Sequence, residues 1–188
     1  MATDSPTAYQ LRITLADSEP EIWRQVLVPF DITLAQLHDV IQLAMGWENL
    51  HTYRFQLGLV TKKIDCDPQQ QLSEVLSLDA QKSLYYTYDE ESGWLHRIAV
   101  EALEVKRLAK DSEANPVRSF TLPTCIDGAM ACPPEGTGGV WGYDDFLDRL
   151  EASSDPEYLM LIEKYGTFDP DVFDVAAAAA RLQAHFLA

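Results

Sequence analysis

The sequence is short of cysteine, of basic residues and of long apolar runs. It has three cysteines in 188 residues, Cys66, Cys125 and Cys132. A low, odd count does not suit a disulfide-stapled secreted domain, so the expected compartment is a reducing cytoplasm with all three as thiols. The first eight residues hold neither a basic stretch nor an apolar one, and do not read as a signal peptide. The longest strictly apolar run covers residues 175–180, against roughly 20 residues needed to span a bilayer, so no membrane partner is expected. Lys and Arg together number 14 against 30 Asp and Glu, for a net charge of −16. Phosphate backbones are held by Lys and Arg, so direct nucleic-acid binding is disfavoured. No phosphate-loop or dinucleotide glycine pattern occurs, because the glycines at 136–142 have no Lys-Ser/Thr after them.

Apolar residues make up 47% of the chain, enough to build a core at this length. Residues 9–15 alternate strictly, with Tyr9, Leu11, Ile13 and Leu15 on one side, which predicts a half-buried strand. Residues 22–28 alternate less cleanly and give a second strand, paired with the first. Thr33 can cap a helix over about 33–45, whose apolar residues Leu34, Leu37, Val40, Ile41 and Ala44 recur at helical spacing, with Gly46 just past its end. Residues 51–59 predict a strand, 61–71 a polar loop and 72–78 a short helix or turn. A hairpin follows over 83–88 and 94–105, joined by the acidic turn Asp89-Glu90-Glu91-Ser92-Gly93.

Residues 120–142 hold five of the nine glycines and three of the ten prolines, and no regular element is expected there. Tyr143, Phe146, Leu147 and Leu150 then mark an amphipathic helix starting near Tyr143, and a second helix follows Asp155-Pro156. A third is expected from Asp169 as N-cap and Pro170 as first residue. The expected fold class is therefore α+β. Its N-terminal unit is a ubiquitin-like (β-grasp) ββαβ unit in which a mixed sheet grips the helix. A further hairpin extends the sheet, and the C-terminal helices pack on it. The expected organisation is one domain over 1–188: a frayed tail at 1–8, sheet and helix over 9–105, a flexible connection at 106–118, a loop at 119–142 and helices over 143–188. Residues 128–188 carry three basic against eleven acidic residues, which reads first as a solvated anionic surface.

Four stretches are specific. They are Ile22-Trp23-Arg24 with Val28-Pro29 and residues 33–38; Ala44-Met45-Gly46-Trp47 with His51 and Phe55; Tyr86-Thr87-Tyr88-Asp89 with Gly93-Trp94-Leu95-His96; and Cys125-x-x-Gly128 with residues 131–135, Gly138-Gly139 and Trp141-Gly142-Tyr143. Through them the chain resembles the plasmid pRiA4b ORF-3-like proteins. Some members of that family travel with mobile elements and carry a resolvase label, and the family has no settled biochemical function. Where members often show His-x-His this chain has His51-Thr52-Tyr53, and where they usually show Arg it has Met130. Such departures remove polar groups, which favours a non-catalytic binding or interaction module with a protein or small-molecule partner. No catalytic residue is assigned. Recombinase activity is disfavoured, because strand cleavage needs a nucleophile beside clustered cations.

The alternative reading is a zinc enzyme. His51, His96, Cys125 and Cys132 would make a Cys2His2 set if they converged, although six residues between the cysteines is not a knuckle spacing. The 125–143 loop is expected to fold back over the strand beginning at Trp94 and to form a shallow cleft lined by Trp94, His96, Glu135 and Trp141.

Overall fold

The structure is a computed structural model that describes residues 8–58, 64–78, 83–102, 121–151 and 156–187. The polypeptide forms a seven-stranded sheet with five helices among the described residues. In chain order the elements are β1 (Ala8–Leu15), β2 (Trp23–Pro29), α1 (Leu34–Met45), β3 (Tyr53–Leu57), β4 (Ile64–Asp65), α2 (Leu72–Ser77), β5 (Ser83–Tyr88), β6 (Trp94–Ala102), β7 (Thr124–Ala129), α3 (Gly139–Glu151), α4 (Pro156–Tyr165) and α5 (Val175–Phe186). The α+β class expected from the sequence is the class observed.

The sheet order is β4-β3-β5-β6-β1-β2-β7, and every pairing in it is antiparallel. The expected mixed sheet is therefore not what forms. The strand after α1 does not return to the side of β1; it pairs with β5, and β6 takes the place beside β1.

Alternation places one residue set on the covered face. Leu11, Ile13 and Leu15 of β1, Val26 and Val28 of β2, and Trp94 and Ile98 of β6 are all buried. Helix α1 lies over this face. Its start is fixed by a capping box: the Thr33 side chain accepts from Gln36 N–H while the Gln36 side chain accepts from Thr33 N–H. Its end is fixed by Gly46 at φ 98°, a left-handed conformation that glycine adopts without strain. Helix α5 packs along β7 and beside α1, where Arg181 Nε donates to the Leu43 carbonyl at 2.8 Å.

Four features differ from the sequence reading. Residues 124–129 form β7 rather than irregular loop, because the β2 edge supplies backbone partners that their Gly- and Asp-containing sequence does not announce. Helix α3 starts at Gly139, four residues before Tyr143. The last helix is capped by Asp174, which accepts from Ala177 N–H at 2.9 Å, and not by Asp169. Asp169 instead closes a local turn by accepting from Asp171 N–H at 3.1 Å, and the Pro170 carbonyl accepts from Ala131 N–H at 2.8 Å. The predicted loop over 61–71 also contributes the two-residue β4. The connection at 106–118 and residues 1–7 of the tail expected at 1–8 lie outside the described residues, while Ala8 opens β1.

One close approach yields a prediction. A Cβ on Gly128 would stand 2.7 Å from Phe173 Cδ1 and 2.8 Å from the Trp23 carbonyl oxygen. Gly128→Ala is therefore expected to cost about 1–3 kcal/mol of stability by overpacking. Urea denaturation checks it, and an unchanged midpoint would show that Phe173 moves aside freely.

A strap across the sheet and its cleft

The site starts with residues that follow β7. The chain leaves the sheet at Ala129 and crosses back over it, and each step is tied down. The Ala129 carbonyl accepts from Arg24 Nη1 at 2.9 Å. The Pro133 carbonyl accepts from the Trp47 indole at 2.9 Å. Glu135 ends the crossing: its carboxylate accepts from the Tyr88 hydroxyl through Oε1 and from Glu48 N–H, at 3.0 Å, through Oε2. The same Tyr88 oxygen accepts from Leu50 N–H at 2.8 Å and His51 N–H at 3.3 Å. Tyr88 thus joins the strap to the 46–52 turn. Burial and then the neighbouring Glu135 carboxylate hold its phenol well above the usual range, so it stays protonated and donates.

Beneath the strap the aromatic packing is dense. Trp47 stacks on Tyr88 at 4.9 Å between ring centroids and meets His96 edge-on at 5.3 Å. His96 is fully buried; Nδ1 lies 3.0 Å from the Trp94 carbonyl and Nε2 has no hydrogen-bond partner. Burial pushes its imidazole down to about 4. Burial likewise raises the Cys132 thiol to about 12 and lifts that of Cys125. Neither thiol is a ready nucleophile.

His51 lies on the outer side of Tyr88, its ring 3.8 Å from Asp89 Oδ1. Burial raises the Asp89 carboxyl, but the Ser92 hydroxyl and backbone N–H, His51 and Glu91 N–H outweigh it and keep that group below its ordinary value. A second polar network sits under α1, where His38 Nδ1 and Gln42 Nε2 both meet the Tyr86 hydroxyl, at 2.8 and 2.9 Å.

The expected site residues separate on this frame. Among the described residues, no group of three or more His, Cys, Asp and Glu side chains is gathered to hold a metal ion. The expected zinc set of His51, His96, Cys125 and Cys132 is thus not assembled: His51 turns to Asp89, His96 is sealed under Trp47, and the Cys125 thiol points to the Asp127 carbonyl at 3.5 Å. Of the four expected cleft residues, Glu135 lines an open cleft, while Trp94 is 1% exposed and His96 lies beneath it. Trp141 is 85% exposed on α3. The cleft itself, about 530 Å³, lies between the end of α1, the strap and the end of α4, with Met45, Trp47, Pro133, Pro134 and Tyr165 in its walls.

Sequence reasoning missed Arg24 and Tyr88. Arg24 occupies a core-facing place in the alternation Ile22, Arg24, Val26, Val28, and a cation there was the available signal. Tyr88→Phe is expected to lower stability by about 1–2 kcal/mol, because the Glu135 carboxylate loses its buried donor. The amide signals of Leu50, His51 and Glu135 should shift together in a ¹H–¹⁵N spectrum; a change confined to residue 88 would remove the joint role.

The fold and strap define a class: antiparallel α+β proteins with a Gly/Pro-rich segment bound across one sheet face. The model of the plasmid pRiA4b ORF-3-like protein family matches residues 7–177, and the chain belongs to that family. It is 35% identical over 179 residues to the uncharacterized protein y4hQ of Sinorhizobium fredii (strain NBRC 101917 / NGR234), covering 90% of this chain and 84% of that protein. It is also similar to the crystal structure of MM3350, a protein of unknown function from Methanosarcina mazei Go1. That match has a TM-score of 0.73 at 30% identity and covers 89% of this chain and 95% of the other. These relatives carry no established function. Among the described residues no helix is long and apolar enough to cross a membrane.

Proposed function

We propose that the protein is a non-catalytic binding module whose ligand site is the cleft beside the strap. The observation that carries this reading is how the strap's polar groups are used. Glu135 is occupied by Tyr88 and Glu48, the Pro133 carbonyl by Trp47, and the Cys132 thiol is held protonated. A nucleophile or general base needs a free, suitably tuned group, and these groups serve to fix the wall of a recess. What the recess offers a ligand is aliphatic and aromatic surface from Met45, Trp47, Leu50 and Tyr165 mixed with the polar groups of Glu48, Glu135 and Lys164. That combination suits an apolar molecule, or an apolar protein segment, carrying an uncharged polar group.

Nile red, an apolar dye with uncharged polar groups, has this chemistry and is a direct probe. Saturable binding at one site is expected, weakened at least tenfold by Leu50→Asp or Tyr165→Ser. Both residues line the cleft, and Leu50 is 66% exposed, so the fold tolerates the change. Binding that is absent, or indifferent to both substitutions, would overturn the reading.

A further inference from the structure

A different face of the molecule combines an exposed aromatic ring with carboxylates. Helix α3 presents Trp141, Asp144, Asp145 and Asp148 at i, i+3, i+4 and i+7, which is one stripe of a helix, and all four are exposed. A tryptophan left 85% exposed forgoes the burial that usually justifies so large a ring. Asp145 is paired with Arg149 at 2.8 Å.

Beside this stripe lies an apolar socket of about 100 Å³, floored by Ile22, Met130, Val140, Tyr143 and Leu147. Asp144 belongs to both the stripe and the socket's edge, and Glu19 and Asp171 stand at the same rim. No Lys or Arg lines it. The volume matches one branched aliphatic side chain, and the surrounding charge is of one sign.

We propose that this surface docks a short segment of a protein partner that places an aliphatic side chain next to Lys or Arg. The aliphatic group fills the socket, the flanking cations meet Asp144, Glu19 and Asp171, and one of them lies over the Trp141 ring. Exposed aromatic residues beside a fitted pocket are what interface hot spots are made of. A second copy of this chain is the less suitable occupant, because a net charge of −16 repels its like.

The test uses the full chain labelled with ¹⁵N, the Trp141 indole signal being identified by its loss in Trp141→Phe. The probes are capped peptides of sequence Lys-Leu-Arg-Leu-Lys, Lys-Ser-Arg-Ser-Lys and Glu-Leu-Glu-Leu-Glu. The first should shift the Trp141 indole saturably. Its affinity should fall at least tenfold in Trp141→Ala, and at least threefold in both Asp144→Asn and raised salt. The other two peptides should bind at least tenfold more weakly. The surface is exposed, so these variants keep the fold, which circular dichroism verifies. Equal binding of the serine peptide would leave only a diffuse acidic surface and overturn the proposal. So would shifts at Trp47 in place of Trp141, which would assign the peptide to the cleft. A concentration-dependent dimer lost in Trp141→Ala would assign the surface to self-association and overturn it likewise.

Discussion

Arg24→Ala is expected to lower the free energy of unfolding by about 3–5 kcal/mol, the sum of an unfilled core volume and orphaned carbonyls. Arg24 is 1% exposed, and its side chain donates to backbone carbonyls. Nε donates to the Ala44 carbonyl at 3.2 Å, and Nη1 to those of Trp23 and Ala129 at 2.8 and 2.9 Å. The Phe173 ring covers the guanidinium at 3.6 Å. Burial disfavours the charged form and lowers the group's proton affinity. The counter-charge comes from the end of α1, whose last carbonyls lack helical partners and carry the negative end of the helix dipole. Arg181 uses the neighbouring Leu43 carbonyl in the same way.

One side chain therefore ties together β2, the end of α1, the strap and the turn before α5. For a chain of this size the loss corresponds to a fall in Tm of roughly 10 °C. Arg24→Lys should recover only part of it, because a point charge cannot reproduce the planar fork. A change in Arg24→Ala below about 1 kcal/mol would mean that the desolvation cost of the buried cation cancels what it holds together.

Acidification is expected to remove about 3 kcal/mol through His96 alone. The folded value near 4 lies below the unfolded value near 6.5. As pH falls the unfolded chain takes up the proton first, so the stabilisation is whole above about 6.5 and is lost progressively down to about 4. Burial lowers His38 as well, which adds to the loss in the same direction. Below that window Asp89, held under its ordinary value, adds a further loss as it protonates. His96→Leu should flatten the dependence between pH 6.5 and 4, whatever it does to stability at neutral pH. Parallel curves for the two proteins, measured by urea denaturation across that range, would show that His96 takes up its proton equally well when folded.

Helix α1 was legible because its instructions are local. Thr33 and Gln36 close the capping box, the apolar stripe has helical spacing, and Gly46 supplies the positive φ that ends it. Strand β1 was legible from alternation, and β5 and β6 as a hairpin about the acidic turn 89–93, for the same reason. The strand over residues 124–129 was not. β7 exists because β2 offers an edge, and its sequence, Thr-Cys-Ile-Asp-Gly-Ala, signals a turn as readily as a strand. Asp169 and Asp174 both have the chemistry of an N-cap, and only the engagement of Pro170 by Ala131 decides which one starts α5.

The sequence by itself determined the α+β class, the first helix with both its ends, the alternating strands, the family and the acidic surface. All of these follow from interactions within a few residues or from composition. The tertiary structure alone decided that the sheet is antiparallel, that Glu135 meets Tyr88 across 47 positions, and that Arg24 is an interior residue. It also separated two histidines and two cysteines that share one sequence signature. Side chains distant in sequence meet only when the packing of elements brings them together, and residue type and spacing carry no record of which partner the fold will choose.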